Sequence, residues 1–133
     1  MNRIIKFRGY SPITKGWVYG HLIPQKKYGE IIYHIAPFVR NGSIEGVEVE
    51  PASIGQFTGL LDKNGKEVYE GDIVRYRTTD ERFRKNPRYT IVDIHYTDKM
   101  ARFEAGNIFY EDLWSPKLEV FGNVHDHPEL LRR

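Results

Sequence analysis

Two histidines near the C-terminus are the side chains most suited to binding a metal ion. His125 and His127 flank Asp126, and on a β-strand residues i and i+2 point to the same face. Both imidazoles could therefore reach one ion, with a third ligand from Glu129, Asp112 or His95. Metal sites need three or four ligands, and a polar turn before Pro128 accounts for the same residues. We therefore predict no metal site, with His125 and His127 as weak candidates.

Three carboxylates within six residues could carry out acid–base chemistry: Glu67, Glu70 and Asp72. Such chemistry needs a pocket with an electrophile or a metal, and neither is evident from the sequence. Turn chemistry explains the segment better. Asn64 and Gly65 can both adopt positive φ, as a two-residue hairpin turn of the primed type requires. Gly71 and Asp72 would form a bend in which the aspartate accepts hydrogen bonds from neighbouring backbone amides.

Residues 59–66 superficially resemble a phosphate-binding Walker loop. Five residues separate Gly59 from Gly65, where that motif requires four, and Glu67 stands in place of the magnesium-binding hydroxyl. The chain has no cysteine and no G-x-S-x-G motif, so nucleophilic catalysis has no support. The sequence therefore predicts a protein that is not an enzyme, with no catalytic residue and no cofactor.

Residues 75–88 form the one strongly basic segment. Six basic and two acidic residues give it a local charge of +4, whereas the whole chain carries only +2. Tyr76, Phe83 and Tyr89 are interleaved with the cations, a combination that can contact phosphates and stack on bases. The candidate nucleic-acid-binding residues are Arg75, Arg77, Arg82, Arg84, Lys85 and Arg88.

The elements that would position these residues are strands, because the hydrophobic pattern has a period of two. Alternation predicts strands at residues 4–10, 17–23, 30–35, 89–96 and 101–105, with a turn at 24–29. Val74, Tyr76 and Phe103 are expected to point into the core. A last strand is expected to place Leu118, Val120 and Val124 on one side, and Pro128 begins a short terminal helical turn.

Short strands separated by glycine, proline and Asn-Gly turns indicate a mainly β fold, a compact barrel or roll with little helix. Pro51 and Gly55 interrupt the pattern, which predicts an N-terminal β unit at 1–54, packed on the rest, and a second unit at 55–133. No segment approaches the roughly 18 apolar residues that a membrane span needs. We expect a soluble intracellular protein with no membrane partner.

Several sequence blocks, in order, resemble the YopX family. They are IKFR at 5–8, IGQFT at 54–58, TGL at 58–60, DKNGKE at 62–67, YEGDIV at 69–74, FGNV at 121–124 and PELL at 128–131. The resemblance implies a largely β fold with an SH3-like roll, here at 55–133. It also implies an origin in phages, prophages or related mobile elements, and no established biochemical activity.

These observations lead to one expected function and two alternatives. We expect a non-enzymatic accessory protein in the cytoplasm of the bacterial host that binds a host or phage protein and self-associates as a homo-oligomer. Edge strands and many aromatic residues favour such binding. The alternative is a nucleic-acid-binding module using the basic segment. A metal-dependent hydrolase built on His125 and His127 is the least favoured.

Overall fold

The computed structural model describes residues 4–37, 39–40, 43–44, 46–77, 89–105, 108–109 and 118–131. Within these residues the chain forms antiparallel strands and two short 3₁₀ turns. The predicted mainly β fold class is therefore confirmed. The chain divides into two compact units, residues 1–57 and 58–133.

The first unit is built around an antiparallel sheet with the strand order β6-β3-β2-β1-β7. Its strands are β1 (Phe7–Ser11), β2 (Gly16–Lys27), β3 (Glu30–Ala36), β4 (Val39–Arg40), β5 (Ser43–Ile44) and β6 (Val47–Glu48). β4 and β5 pair with each other as a small hairpin. A 3₁₀ turn (Pro51–Ser53) follows, and β7 (Gly55–Leu61) then runs across the boundary between the units.

The β2–β3 hairpin differs from its prediction, which ended the first strand at residue 23 and placed a turn at 24–29. β2 continues through Pro24, and only Tyr28 and Gly29 form the turn, which Lys27 and Glu30 close as a pair. Counting back by twos from this pair, Pro24 occupies a position whose backbone nitrogen points away from β3. The missing N–H therefore costs no ladder hydrogen bond, and the strand is not interrupted.

The second unit contains a five-stranded antiparallel sheet with the order β12-β11-β10-β9-β13. Its elements are β8 (Glu67–Tyr69), β9 (Asp72–Arg77), β10 (Tyr89–Thr97), β11 (Arg102–Ala105), β12 (Ile108–Phe109), β13 (Leu118–Asn123) and a 3₁₀ turn (Pro128–Leu131). The turn begins at Pro128, as predicted. The core consists of Val68, Val74, Ile94, Ala105, Leu118 and Val120.

The predicted inward positions of this unit are largely confirmed. Val74 is fully buried, and Tyr76 and Phe103 pack against the core. Val124 is the exception, since it is 38% exposed in the turn after β13. The register of β13 against β9 shifts between Val120 and Gly122, and such an irregularity changes which side chains share a face. Among the helical residues that are described, none belongs to a helix long and apolar enough to cross a membrane.

Candidate functional site

The two C-terminal histidines lie in a hydrogen-bonded turn. The Asn123 side chain accepts a hydrogen bond from the Asp126 N–H at 2.8 Å. His127 Nδ1 accepts one from the Asn123 N–H at 3.4 Å, and His125 Nδ1 lies 3.2 Å from Asp126 Oδ1. Within the described ranges, no group of three or more His, Asp or Glu residues could hold a metal ion. The polar-turn interpretation accounts for both histidines, and Asp112 lies outside the described residues.

The family-like turn at residues 62–66 is organised by Asp62, a residue that sequence reasoning missed. Asp62 is only 4% exposed, and its Oδ1 accepts hydrogen bonds from the N–H groups of Asn64 and Lys66 at 2.8 and 2.9 Å. Its Oδ2 accepts a third from the Val120 N–H of β13 at 3.0 Å. The signal for this role is an aspartate two residues before Asn-Gly, where its side chain can reach the turn amides.

The turn type predicted for Asn64 and Gly65 is wrong. Gly65 has a φ of 80°, whereas Asn64 is not among the described residues with positive φ. The Gly65 N–H donates to the Asp62 carbonyl at 3.0 Å, which closes a four-residue turn with glycine in the left-handed position. The Asp62 carboxylate stabilises this four-residue turn because it accepts hydrogen bonds from the backbone amides of the turn. A primed two-residue turn would orient those amides differently.

The Gly71–Asp72 bend has the geometry that the turn interpretation predicts. Gly71 adopts a φ of 91°, and its N–H donates to the Ile94 carbonyl at 2.8 Å. Asp72 is 1% exposed, and its Oδ2 accepts a hydrogen bond from the Tyr69 N–H at 2.7 Å. The buried Asp72 carboxylate therefore fixes the backbone of this bend, which is a structural role.

Most of the basic segment lies outside the described residues, including Arg82, Arg84, Lys85 and Arg88, and Arg77 is described only in its backbone. Arg75 Nε donates to Glu119 Oε2 at 3.0 Å, and Lys63 Nζ lies 3.3 Å from the same oxygen. The hydrogen bond from Arg75, together with that from Lys63, lowers the pKa of the Glu119 carboxyl. Arg75 is thus charge-balanced by Glu119, and nucleic-acid binding by the segment stays a prediction.

The best candidate site among the described residues is the β2–β3 ribbon, which we define as residues 22–27 and 30–33. β1 pairs with β2 only as far as Gly20, and β6 pairs with β3 only at His34 and Ile35. A further hydrogen bond joins the Val49 N–H to the Tyr33 carbonyl. Beyond these points no described strand pairs with either outer edge of the ribbon.

The tip of the ribbon carries an unusually exposed aromatic residue. Tyr28 is 97% exposed and adopts a φ of 51°, followed by Gly29 at 80°. A primed turn requires positive φ at both positions, and asparagine, aspartate or glycine normally occupies the first. A tyrosine in the left-handed region costs about 1 kcal/mol or more. Sequence reasoning missed this turn, whose signal is the dipeptide Tyr-Gly in place of the usual Asn-Gly.

A cleft of about 340 Å³ lies at the base of the ribbon, lined by Ile23, Gln25, His34 and Gly46. His34 Nδ1 is buried and has no hydrogen-bond partner among the described residues. Gly46 passes so close to β3 that an added Cβ would lie 2.7 Å from the His34 Cβ. The exposed Glu48 on β6 stands opposite His34 in the strand register. The cleft thus has an apolar side chain, Ile23, beside the polar side chains of Gln25 and His34.

Comparisons with known proteins agree with the fold. The chain is similar to protein EF1440 from Enterococcus faecalis, whose crystal structure matches it with a TM-score of 0.60 and 25% sequence identity. That match covers 98% of this chain and 100% of the other. A search of curated proteins finds no match. The family model described as YopX protein matches residues 6–132, nearly the whole chain, so this protein belongs to the YopX family.

Proposed function

We propose that this protein is a non-enzymatic accessory protein of a phage or related mobile element, acting in the bacterial cytoplasm as a protein-binding, self-associating β module. The observation that carries the proposal is the β2–β3 ribbon, whose strands continue past their neighbours in the described part of the sheet. Open strand edges invite pairing with another chain. We also propose that the second unit is an SH3-like roll, as the family resemblance implies.

The two edges of the ribbon differ in how readily they could accept a strand. On β2 the outward-facing backbone positions include Pro24, which has no N–H to donate, and Lys26, a charged residue. Proline and lysine are typical of edges that avoid pairing. On β3 the N–H and C=O of Ile31 point outward, and its side chain is 54% exposed. We therefore favour the β3 edge as the one that takes part in binding.

The carboxylates with catalytic potential support a role without bond-breaking chemistry. Of the three considered for acid–base chemistry, Asp72 is buried and its Oδ2 accepts a hydrogen bond from the Tyr69 N–H, and Glu67 Oε1 accepts one from the Tyr69 hydroxyl. A general base must be within reach of a substrate proton, and these oxygens face donors of the protein itself.

Self-association is tested by light scattering across a wide range of protein concentrations. We expect a mass above the 15.6 kDa of one chain that rises with concentration. An Ile31→Lys variant should shift the mass towards one chain, because a lysine on the edge opposes strand pairing. Ile13→Lys is the matched control, since Ile13 is 70% exposed in the turn between β1 and β2 of the same unit. A mass of one chain at every concentration would refute the self-association.

A protein partner is tested by capture from host cells in which the mobile element is induced, followed by mass spectrometry. We expect a protein that the wild type and the Ile13→Lys control both capture and that the Ile31→Lys variant does not. Equal capture by all three would show that the ribbon edge is not the binding element.

A further inference from the structure

We propose that two copies of this chain associate through their ribbons, with Tyr28 of each copy inserted in the cleft of the other beside His34. The proposal rests on the self-association proposed above and names the residues that carry it. Three features of the described residues support it: an apolar side chain in the wall of the cleft, an almost fully exposed aromatic side chain at the tip, and opposite charges near the two.

The cleft has an apolar wall against which a tyrosine ring can pack. Ile23 lines the cleft and is half-buried, and it lies beside His34 and Gly46. A cleft of about 340 Å³ can hold one aromatic side chain. Insertion of Tyr28 would remove the apolar faces of its ring and of Ile23 from water, which favours association.

Tyr28 gains nothing from its own chain that would offset its conformation. Its side chain is 97% exposed, and its backbone is in the left-handed region at a φ of 51°. Asparagine or glycine at this position would relieve the strain, so the fold itself does not call for tyrosine. Tyrosine is enriched at the centres of protein interfaces, where a ring and a hydroxyl can both be used.

The spacing along the ribbon permits a symmetric arrangement. Tyr28 lies in the turn, five positions beyond Ile23 of β2, a distance of about 17 Å at the usual rise per residue of a strand. Two ribbons that lie antiparallel about a two-fold axis would place each tip over the cleft of the other copy. The same two contacts then form twice, as in an isologous dimer.

Charges near the two ends of the contact are of opposite sign. Lys26 and Lys27 directly precede Tyr28 at the tip and outnumber Glu30 beside them, whereas Glu48 stands beside the cleft opposite His34. The lysines of one copy would therefore approach Glu48 of the other. Opposite charges at a rim guide association and fix its register. A second copy of this chain thus has both the side chain and the charges that the cleft accepts.

Sedimentation equilibrium on the full chain tests this inference with Tyr28→Asn and a matched control. Asparagine tolerates the left-handed region, so Tyr28→Asn should keep or raise the melting temperature. It should also raise the dimer dissociation constant by about tenfold or more, the usual effect of removing a central tyrosine. The control is Lys15→Asn, which relieves a φ of 56° in another turn of the unit and should leave dimerisation unchanged.

Mixing two defective variants provides a test that loss of folding cannot imitate. Gln25→Trp places a large side chain at an exposed strand position that lines the cleft, and it should also weaken dimerisation. In a mixture of the two variants, Tyr28 of the Gln25→Trp variant can enter the unblocked cleft of the Tyr28→Asn variant. We expect mixed dimers to form more tightly than either variant alone.

The outcomes separate this inference from the proposed function. A wild-type dissociation constant for Tyr28→Asn, or no gain in the mixture, would overturn the Tyr28–cleft contact and leave self-association standing. A wild-type protein that is monomeric at every concentration would overturn both.

Discussion

Removing the Asp62 carboxylate should be one of the most destabilising single changes in the second unit. The side chain accepts three backbone hydrogen bonds, from Asn64, Lys66 and Val120, at 2.8, 2.9 and 3.0 Å. Two of these hold the turn between β7 and β8, and the third joins that turn to β13. A second bond joins the same elements, from the Lys63 N–H to the Leu118 carbonyl at 3.0 Å.

The magnitude follows from which amides would be left without a partner. In Asp62→Ala the buried Val120 N–H loses its acceptor, at a cost of about 2 kcal/mol. The two turn amides lie nearer the surface, where water can replace the carboxylate, and each should cost about 1 kcal/mol. The expected loss in the free energy of unfolding is therefore about 4 kcal/mol. Asp62→Asn keeps one acceptor oxygen, so it should lose about 2 kcal/mol.

Guanidinium unfolding followed by circular dichroism measures these losses, and amide hydrogen exchange at Val120 locates them. The control is Asp98→Ala, at an exposed position in the turn between β10 and β11, which should change stability by less than about 0.5 kcal/mol. If Asp62→Ala lost less than about 1 kcal/mol, or Val120 kept its wild-type protection, the reasoning about this carboxylate would be wrong.

Three further predictions concern the same unit. Arg75→Gln should raise the pKa of Glu119 towards its ordinary value in a carboxyl NMR titration, since Arg75 is the main cause of the lowering. Because that pKa is depressed in the folded state, the stabilisation is present at neutral pH and is lost as pH falls through the folded value. Thr58→Val should cost about 1 kcal/mol in thermal unfolding, because the hydroxyl donates to the Val68 carbonyl at 2.8 Å. If the basic segment binds nucleic acid, its affinity for DNA or RNA should fall steeply with salt. Binding should vanish when Arg82, Arg84 and Lys85 are neutralised together, and unchanged binding by that variant would refute the prediction.

The sequence predicts the fold class well because a period of two is a direct consequence of alternating burial on strands. Val74 and Phe103 were placed inside from alternation alone, and both pack in or against the core. Pro128 was placed at the start of a terminal turn because proline suits that position, and the 3₁₀ turn begins there. Each of these predictions depends only on local geometry.

The sequence predicts less well where the answer depends on a partner distant along the chain. Local sequence predicts a turn at Pro24, yet the pairing of Lys27 with Glu30 sets a register in which the proline nitrogen faces outward. The hydrogen bond between Asp62 and β13 has no local signal, because it joins residues 58 positions apart. Alternation alone predicts Val124 on the core side, because the register shift before Gly122 has no local signal either.

The family resemblance and the candidate binding site occupy different parts of the sequence. The motif blocks lie at residues 5–8, 54–60, 62–67, 69–74, 121–124 and 128–131, and those in the second unit contain the residues that form its turns. The ribbon at 22–33 lies outside every block, and its tip combines high exposure with an unfavourable backbone conformation. Turn residues improve stability, whereas Tyr28 opposes it. Lys15 has a similar backbone conformation in an exposed turn, but Tyr28 also presents a large aromatic ring to solvent, and therefore the ribbon tip is where a search for a contact with another molecule should begin.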